Sequence, residues 1–176
     1  MRIACALDSG FEDSEFQVPY DGFRQAGHEV VVVGLEAGQA LTGKAGKVTT
    51  TSQSSFDDVA AGEFDALLLP GGYSPDHLRA DPRAVDFTRA FAEADKPIFA
   101  VCHGPQLLTA ADAIRGRRLT AWTTVQDDLR RMGEDVVDEE VVVTGNLVTS
   151  RKPDDLEAFT RESLRVLARV PATTTG

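Results

Sequence analysis

No stretch of the 176 residues is apolar for long enough to cross a bilayer, which excludes a helical membrane span. Cysteine is scarce. Cys5 and Cys102 stand in such different surroundings that no disulfide framework is implied, and a reducing cytoplasm is the expected compartment. No His, Cys, Asp and Glu fall at metal-ligand spacing, so neither a metal nor another cofactor is expected. Basic residues are outnumbered: 18 Lys and Arg face 28 Asp and Glu, for a net charge of −10. That balance argues against a broad phosphate-binding surface and against nucleic acid as the primary partner, although an acidic protein can still act on one. Repeats and linkers are absent, and Met1-Arg2-Ile3 reads as the start of a strand rather than of a signal peptide. With 42% hydrophobic residues the chain suits one compact domain, expected over residues 1–170, with a disordered tail at 171–176.

The most informative stretch runs from Lys96 to Leu108, K-P-I-F-A-V-C-H-G-P-Q-L-L. Ile98 to Val101 is wholly apolar and reads as a strand buried on both faces. Cys102 ends it, and Pro105-Gln106-Leu107 opens a helical pattern, proline being suited to a first helical turn. Cys102 thus stands at a strand–turn–helix corner, with Gly104 expected to make the tight turn. Helix-terminal N–H groups near the sulfur are expected to lower its pKa, and the His103 N–H to face an oxyanion. This is the layout of a nucleophile elbow with Cys in place of Ser. Cys5, inside the run Ile3 to Leu7, reads as a small buried hydrophobe.

Along the chain, Arg2 to Leu7 reads as a strand and Phe16 to Gly27 as a helix with Ser14 as its N-cap. Glu29 to Gly34 is a second buried strand, making a parallel pair with the first. Residues Gly34 to Thr51 read as a small β excursion at the sheet edge. Within it G-Q-A-L-T-G-K-A from Gly38 approaches a phosphate-binding loop, but the Ser or Thr for magnesium and the following helix are missing, so a turn-rich hairpin is expected. Phe56 to Val59 suggests a short helix, Ala66 to Leu69 a strand, and Pro82 to Ala94 a helix. The helix after the elbow is expected to end near Gly116. Arg117 to Ala121 reads as a strand, Val125 to Met132 as a helix, Val136 to Thr144 with Leu147 to Thr149 as a hairpin, and Pro153 to Leu167 as the last helix. The alternation predicts a three-layer α/β/α sandwich, a flavodoxin-like, mostly parallel sheet with a small edge hairpin. Loops after three strands, Ser9–Glu15, Pro70–Tyr73 and Cys102–Pro105, converge at its carboxyl edge.

Three histidines occur. His28 reads as a turn residue, His77 lies just beyond the Gly-Gly turn, and His103 adjoins Cys102. None follows residue 103, which disfavours an amidotransferase-type triad with its downstream His and Glu.

These motifs are similar to those of the PfpI family, the intracellular protease or protein-deglycase group of the class I glutamine-amidotransferase-like superfamily. The matching stretches are F-E-D-S-E from Phe11, L-P-G-G from Leu69, A-V-C-H-G-P-Q from Ala100, R-G-R from Arg115, G-N from Gly145 and S-R-x-P-x-D-L from Ser150. The resemblance implies Cys102 as nucleophile, His103 as its partner, and Glu15 as the carboxyl against the sulfur with Glu12 close by. It implies an oxyanion hole from the N–H groups of Gly72 and His103, and a pocket bordered by Gly71, Tyr73 and Trp122. Asp76 matches the acid that orients the His from a neighbouring subunit, although a Glu is usual there. Trp122 stands where a Tyr often lines the pocket. Both departures weigh against efficient peptide hydrolysis. The implied function is a cytoplasmic stress-response cysteine hydrolase, either deglycase-like on methylglyoxal adducts or peptidase-like. Its partners would be small carbonyl compounds, glycated proteins or peptides, and further copies of itself as dimer or hexamer. The alternative is a redox sensor or chaperone with an oxidisable Cys102.

Overall fold

The computed structural model describes residues 1–171. The tail expected to be disordered, Pro171 apart, lies outside the described residues. In chain order the first elements are β1 (Arg2–Ala6), α1 (Asp13–Gln25), β2 (Glu29–Gly34), β3 (Ala40–Thr42), β4 (Thr49–Thr51), β5 (Ser54–Ser55) and β6 (Ala66–Leu69). Then come α2 (Ser74–Arg79), α3 (Pro82–Glu93), β7 (Ile98–Val101), α4 (Pro105–Ala110), α5 (Thr123–Arg131), β8 (Val142–Thr144), β9 (Leu147–Ser150) and α6 (Leu156–Leu167).

Seven strands form one sheet in the order β5-β2-β1-β6-β7-β9-β8, parallel except for the final β9–β8 pair. The period of two along each strand sends alternate side chains to opposite faces. Ala4, Val31, Val33, Leu67, Leu69 and Ala100 pack with Phe87 and Phe91 of α3, Leu107 and Leu108 of α4, and Leu129 of α5. Ile3, Cys5, Val30, Val32, Leu68 and Phe99 pack on the other side with Phe16 and Phe23 of α1 and Phe159 and Val166 of α6. Both faces are therefore covered by helices, which gives the three-layer sandwich and explains why β6 and β7 are apolar throughout.

Several short segments differ from the sequence reading. The N-cap of α1 is Glu12, whose carboxylate accepts from the Glu15 N–H at 3.0 Å and from the Ser14 hydroxyl, so Ser14 supports the cap instead of being it. Residues 56–59 form no helix, because the Asp58 carboxylate accepts from the N–H and Oγ of Ser55 and closes a turn there. Residues 117–121 make only a single bridge, Leu119 to Val136, so neither Arg117–Ala121 nor the residues from Val136 up to β8 are strand. The helix after the elbow stops at Ala110, well before Gly116. Pro153–Asp155 is a 3₁₀ turn that precedes α6. β3 and β4 form an antiparallel ribbon of their own rather than extending the main sheet.

Candidate active site

The strand β7 hands over to α4 through Cys102, whose φ of 62° lies in the left-handed region. That conformation costs a residue with a Cβ on the order of 1–3 kcal/mol, and the surroundings enforce it. The Cys102 N–H donates to the Ser150 carbonyl, and the Cys102 carbonyl accepts from the Trp122 N–H, both at 2.9 Å. Gly104 does not supply the tight turn expected of it, since its own φ is an ordinary −48°. It is needed for close packing instead: a Cβ there would lie 3.0 Å from the Val101 carbonyl oxygen.

His103 reaches the sulfur, its Nδ1 standing 3.3 Å from Cys102 Sγ. The Trp122 ring lies nearly parallel to the imidazole, at 6.3 Å between centroids. Burial, with the Lys44 charge second, holds the His103 pKa below its ordinary value against the pull of Asp76. Asp76 itself is engaged by Arg79 of its own helix at 2.6 Å.

Glu15 arrives from the first turn of α1 and is fully buried. Its Oε2 accepts from the Gly71 N–H at 2.9 Å, while Oε1 has no hydrogen-bond partner among the described residues. Burial drives its pKa from 4.5 to about 8; the Cys102 thiol and the Gly71 amide offset part of this, and the Glu12 charge adds to it. The expected lowering of the thiol pKa is overturned. Cys102 is only 7% exposed, and burial followed by the facing Glu15 carboxyl pushes the thiol up. The His103 N–H beside the sulfur works in the opposite direction without prevailing. A buried acid against a buried thiol is a coupled pair, and with both groups pushed up it holds both protons near neutral pH and releases the first as pH passes about 8.

The Gly pair after β6 completes the wall. Gly71 stands behind the sulfur rather than on the cavity surface, and a Cβ there would strike Glu15 Oε2 and come within 2.9 Å of Cys102 Cβ. Gly72, with φ 75°, bridges to Phe11 and faces the cavity. The cavity, of about 600 Å³, is also lined by Glu12, Glu15, Tyr73, Asp76, Cys102, His103 and Trp122. His77 lies apart from these residues and pairs with Asp8 at 3.1 Å. Cys5 is fully buried, and burial pushes its thiol up.

Three lining residues had escaped the sequence reading: Lys44, Gln106 and Pro153. Lys44 is brought there by Asp13. The Asp13 carboxylate, on the first turn of α1, accepts from the N–H groups of Ala45, Lys47 and Val48 at 2.8–2.9 Å and pins the loop between β3 and β4. Burial opposes ionisation of Asp13, but these donors outweigh it and hold the pKa below 3.8. Nothing local in the sequence couples Asp13 to residues more than thirty positions away.

Asp13→Asn is therefore expected to destabilise the protein by about 1–3 kcal/mol at pH 7, because three N–H groups lose a charged acceptor. A folded-state pKa below the unfolded one gives stability that is present above the unfolded value and lost as pH falls through the folded one. Denaturant melts should accordingly show the gap between native protein and variant closing as pH drops below about 4. A gap that persists unchanged into acid would refute the role given to the carboxylate.

The DJ-1/PfpI family model matches residues 1–166. The chain belongs to the DJ-1/PfpI family. Among relatives, protein/nucleic acid deglycase 2 of Escherichia coli is 54% identical over 167 residues, covering 94% of this chain and 97% of the relative. General stress protein 18 of Bacillus subtilis is 52% identical over 169 residues, covering 96% and 98%. Among solved structures, a two-domain protein from Anabaena variabilis with DJ-1/ThiJ/PfpI-like and ferritin-like domains superposes with a TM-score of 0.91 at 38% identity. The match takes in 99% of this chain and 51% of that one, so this family member spans about half of the Anabaena protein.

Proposed function

We propose that this family member is a stress-related cysteine hydrolase that acts through Cys102 on carbonyl adducts of amines and thiols. One observation carries the reading: a sulfur, a buried carboxyl and an imidazole meet on one wall of a cavity. In its ionised form, which gains population as pH approaches 8, Glu15 takes the thiol proton as Sγ adds to the carbonyl carbon. The N–H groups of Gly72 and His103, which donate to no backbone carbonyl among the described residues, are assigned to the oxygen that gains charge. Glu15 hands that proton to the departing amine or thiol as its bond to the adduct carbon breaks, water then releases the product from Sγ, and Trp122 stacked on His103 holds the imidazole in place.

The Escherichia coli relative is named for deglycation of protein and nucleic acid. The net charge of −10 favours small carbonyl compounds and glycated proteins or peptides over a polyanion as substrates here. Peptide hydrolysis fits less well, because Asp76 is held by Arg79 and Trp122 offers no phenol. Residues 1–170 are taken as one domain, working in the cytoplasm and associating as dimer or hexamer. No helix among the described residues is long and apolar enough to cross a membrane.

Cys102→Ala and Cys102→Ser are expected to lower turnover of a methylglyoxal–amine adduct by about 10³-fold or more, as loss of a nucleophile does elsewhere. A fluorogenic peptide, assayed in parallel, should be cleaved slowly or not at all by the native protein. Undiminished adduct turnover by both variants would end the cysteine mechanism. A second reading has one observation behind it: a carboxyl that keeps its proton to about pH 8 could donate to an oxidised sulfur, as a redox sensor requires. Stoichiometric oxidation of Cys102 by peroxide, with no turnover of either substrate, would select that reading.

A further inference from the structure

The cavity beside Cys102 is lined by three acids and one cation, and the cation alone has its charge unspent. Glu12 is occupied as the cap of α1, accepting from the Glu15 N–H and the Ser14 hydroxyl. Asp76 is paired with Arg79 at 2.6 Å. Glu15 is buried against the thiol and retains its proton at neutral pH. Lys44 makes no ion pair among the described residues, yet it lines the cavity with Cys102, His103 and Glu15. Its main chain is not free to drift. The Lys44 N–H donates to the Phe11 carbonyl at 2.8 Å, and the next turn of the loop is pinned by Asp13. The fold thus spends a buried carboxylate on holding a lysine-bearing loop over the sulfur of an otherwise acidic protein.

We propose that Lys44 forms an anion subsite, and that the preferred ligands of this cavity are carbonyl compounds or adducts carrying a carboxylate or phosphate group. Lys44 attracts the anionic end while the carbonyl carbon lies against Cys102 Sγ. An ammonium group on a flexible, exposed stem can follow either anion, and its attraction is open to screening by salt. The inference deepens the functional reading by naming a substrate class, but its test needs no turnover.

The test compares alkylation of Cys102 by iodoacetate and by iodoacetamide, a matched anionic and neutral pair, followed by mass spectrometry on the full chain. Cys5 is fully buried and serves as the internal blank. Lys44→Met should lower the iodoacetate-to-iodoacetamide rate ratio about tenfold, an effect of the size expected for one charge at short range. Lys44→Arg should preserve the ratio, and high salt should erode it in the native protein but not in Lys44→Met. Acetate and inorganic phosphate, added separately, should protect Cys102 from iodoacetamide, and the better protector identifies which anion the subsite takes. An unchanged ratio in Lys44→Met would overturn the proposal. So would equal slowing by both reagents, which would mean that Lys44 acts on thiol ionisation alone. Protection by neither anion, or no labelling of native Cys102 by either reagent, would overturn it as well. Loss of adduct turnover with the ratio effect intact would leave the subsite standing and remove the hydrolase.

Discussion

Glu15→Gln is expected to produce a protein that is more stable than the native one near pH 8 and almost inactive. The carboxyl is fully buried and its pKa is raised from 4.5 to about 8, mainly by burial. Between those values the folded state holds a proton that the unfolded chain has released, so stability falls as pH rises through that window. The contribution is fully present below about 4.5 and lost once pH has passed about 8. A neutral isostere carries no such penalty. The stability of Glu15→Gln should therefore change less with pH across this window, with an advantage over native protein on the order of a few kcal/mol at its alkaline end. Activity moves the other way, because the amide cannot accept the thiol proton. Turnover of the methylglyoxal–amine adduct should fall by about 10²–10⁴-fold, the usual range for loss of a general base. Urea melts from pH 4 to pH 9, run beside adduct kinetics, measure both effects. Parallel pH profiles for the two proteins, or an active amide variant, would refute the assignment of Glu15 as proton acceptor.

Gly71→Ala should cost nearly as much activity by a different route. The added methyl would collide with Glu15 Oε2 and lie 2.9 Å from Cys102 Cβ and 3.0 Å from the His103 nitrogen. Cys102 Cβ and the His103 nitrogen are not the ends of flexible side chains, and the buried Glu15 carboxylate is tied to the Gly71 N–H, so the wall must shift. Overpacking of this kind costs about 1–3 kcal/mol of stability. A displacement approaching 1 Å at the reacting atoms costs about 10²-fold in rate. Gly62→Ala is the matched control, since a Cβ there meets nothing within 4 Å. Thermal melts and adduct kinetics on the pair should separate them clearly. A Gly71→Ala enzyme with native kinetics would show that the contact between turn and sulfur is looser than described.

These expectations rest on features that the sequence disclosed unevenly. The apolar runs 30–34, Ala66–Leu69 and Ile98–Val101 could be read directly, because a strand covered on both faces has no polar positions to alternate with. The elbow was legible for a similar reason: an apolar run ending in Cys-His-Gly-Pro has few alternative geometries. The helix α2 was missed because S-P-D-H-L-R buries just one large apolar side chain, Leu78, and offers no periodicity to detect. Residues 117–121 look like a strand but meet their neighbour at a single bridge. The protonation of Cys102 could not be read at all, since it depends on how deeply Glu15 is buried, and Glu15 is 87 positions away in the chain. Lys44 was hidden for the same reason. Its place in the cavity depends on Asp13 accepting from a loop whose own composition announces only a turn.

The two rims of the main sheet are β5, two residues long, and β8, three residues long. An incoming strand would find almost no open backbone to continue at either rim, so strand-by-strand templating onto the native molecule is blocked at both ends. Clumping on heating should thus track the fraction of unfolded chains rather than the concentration of folded ones.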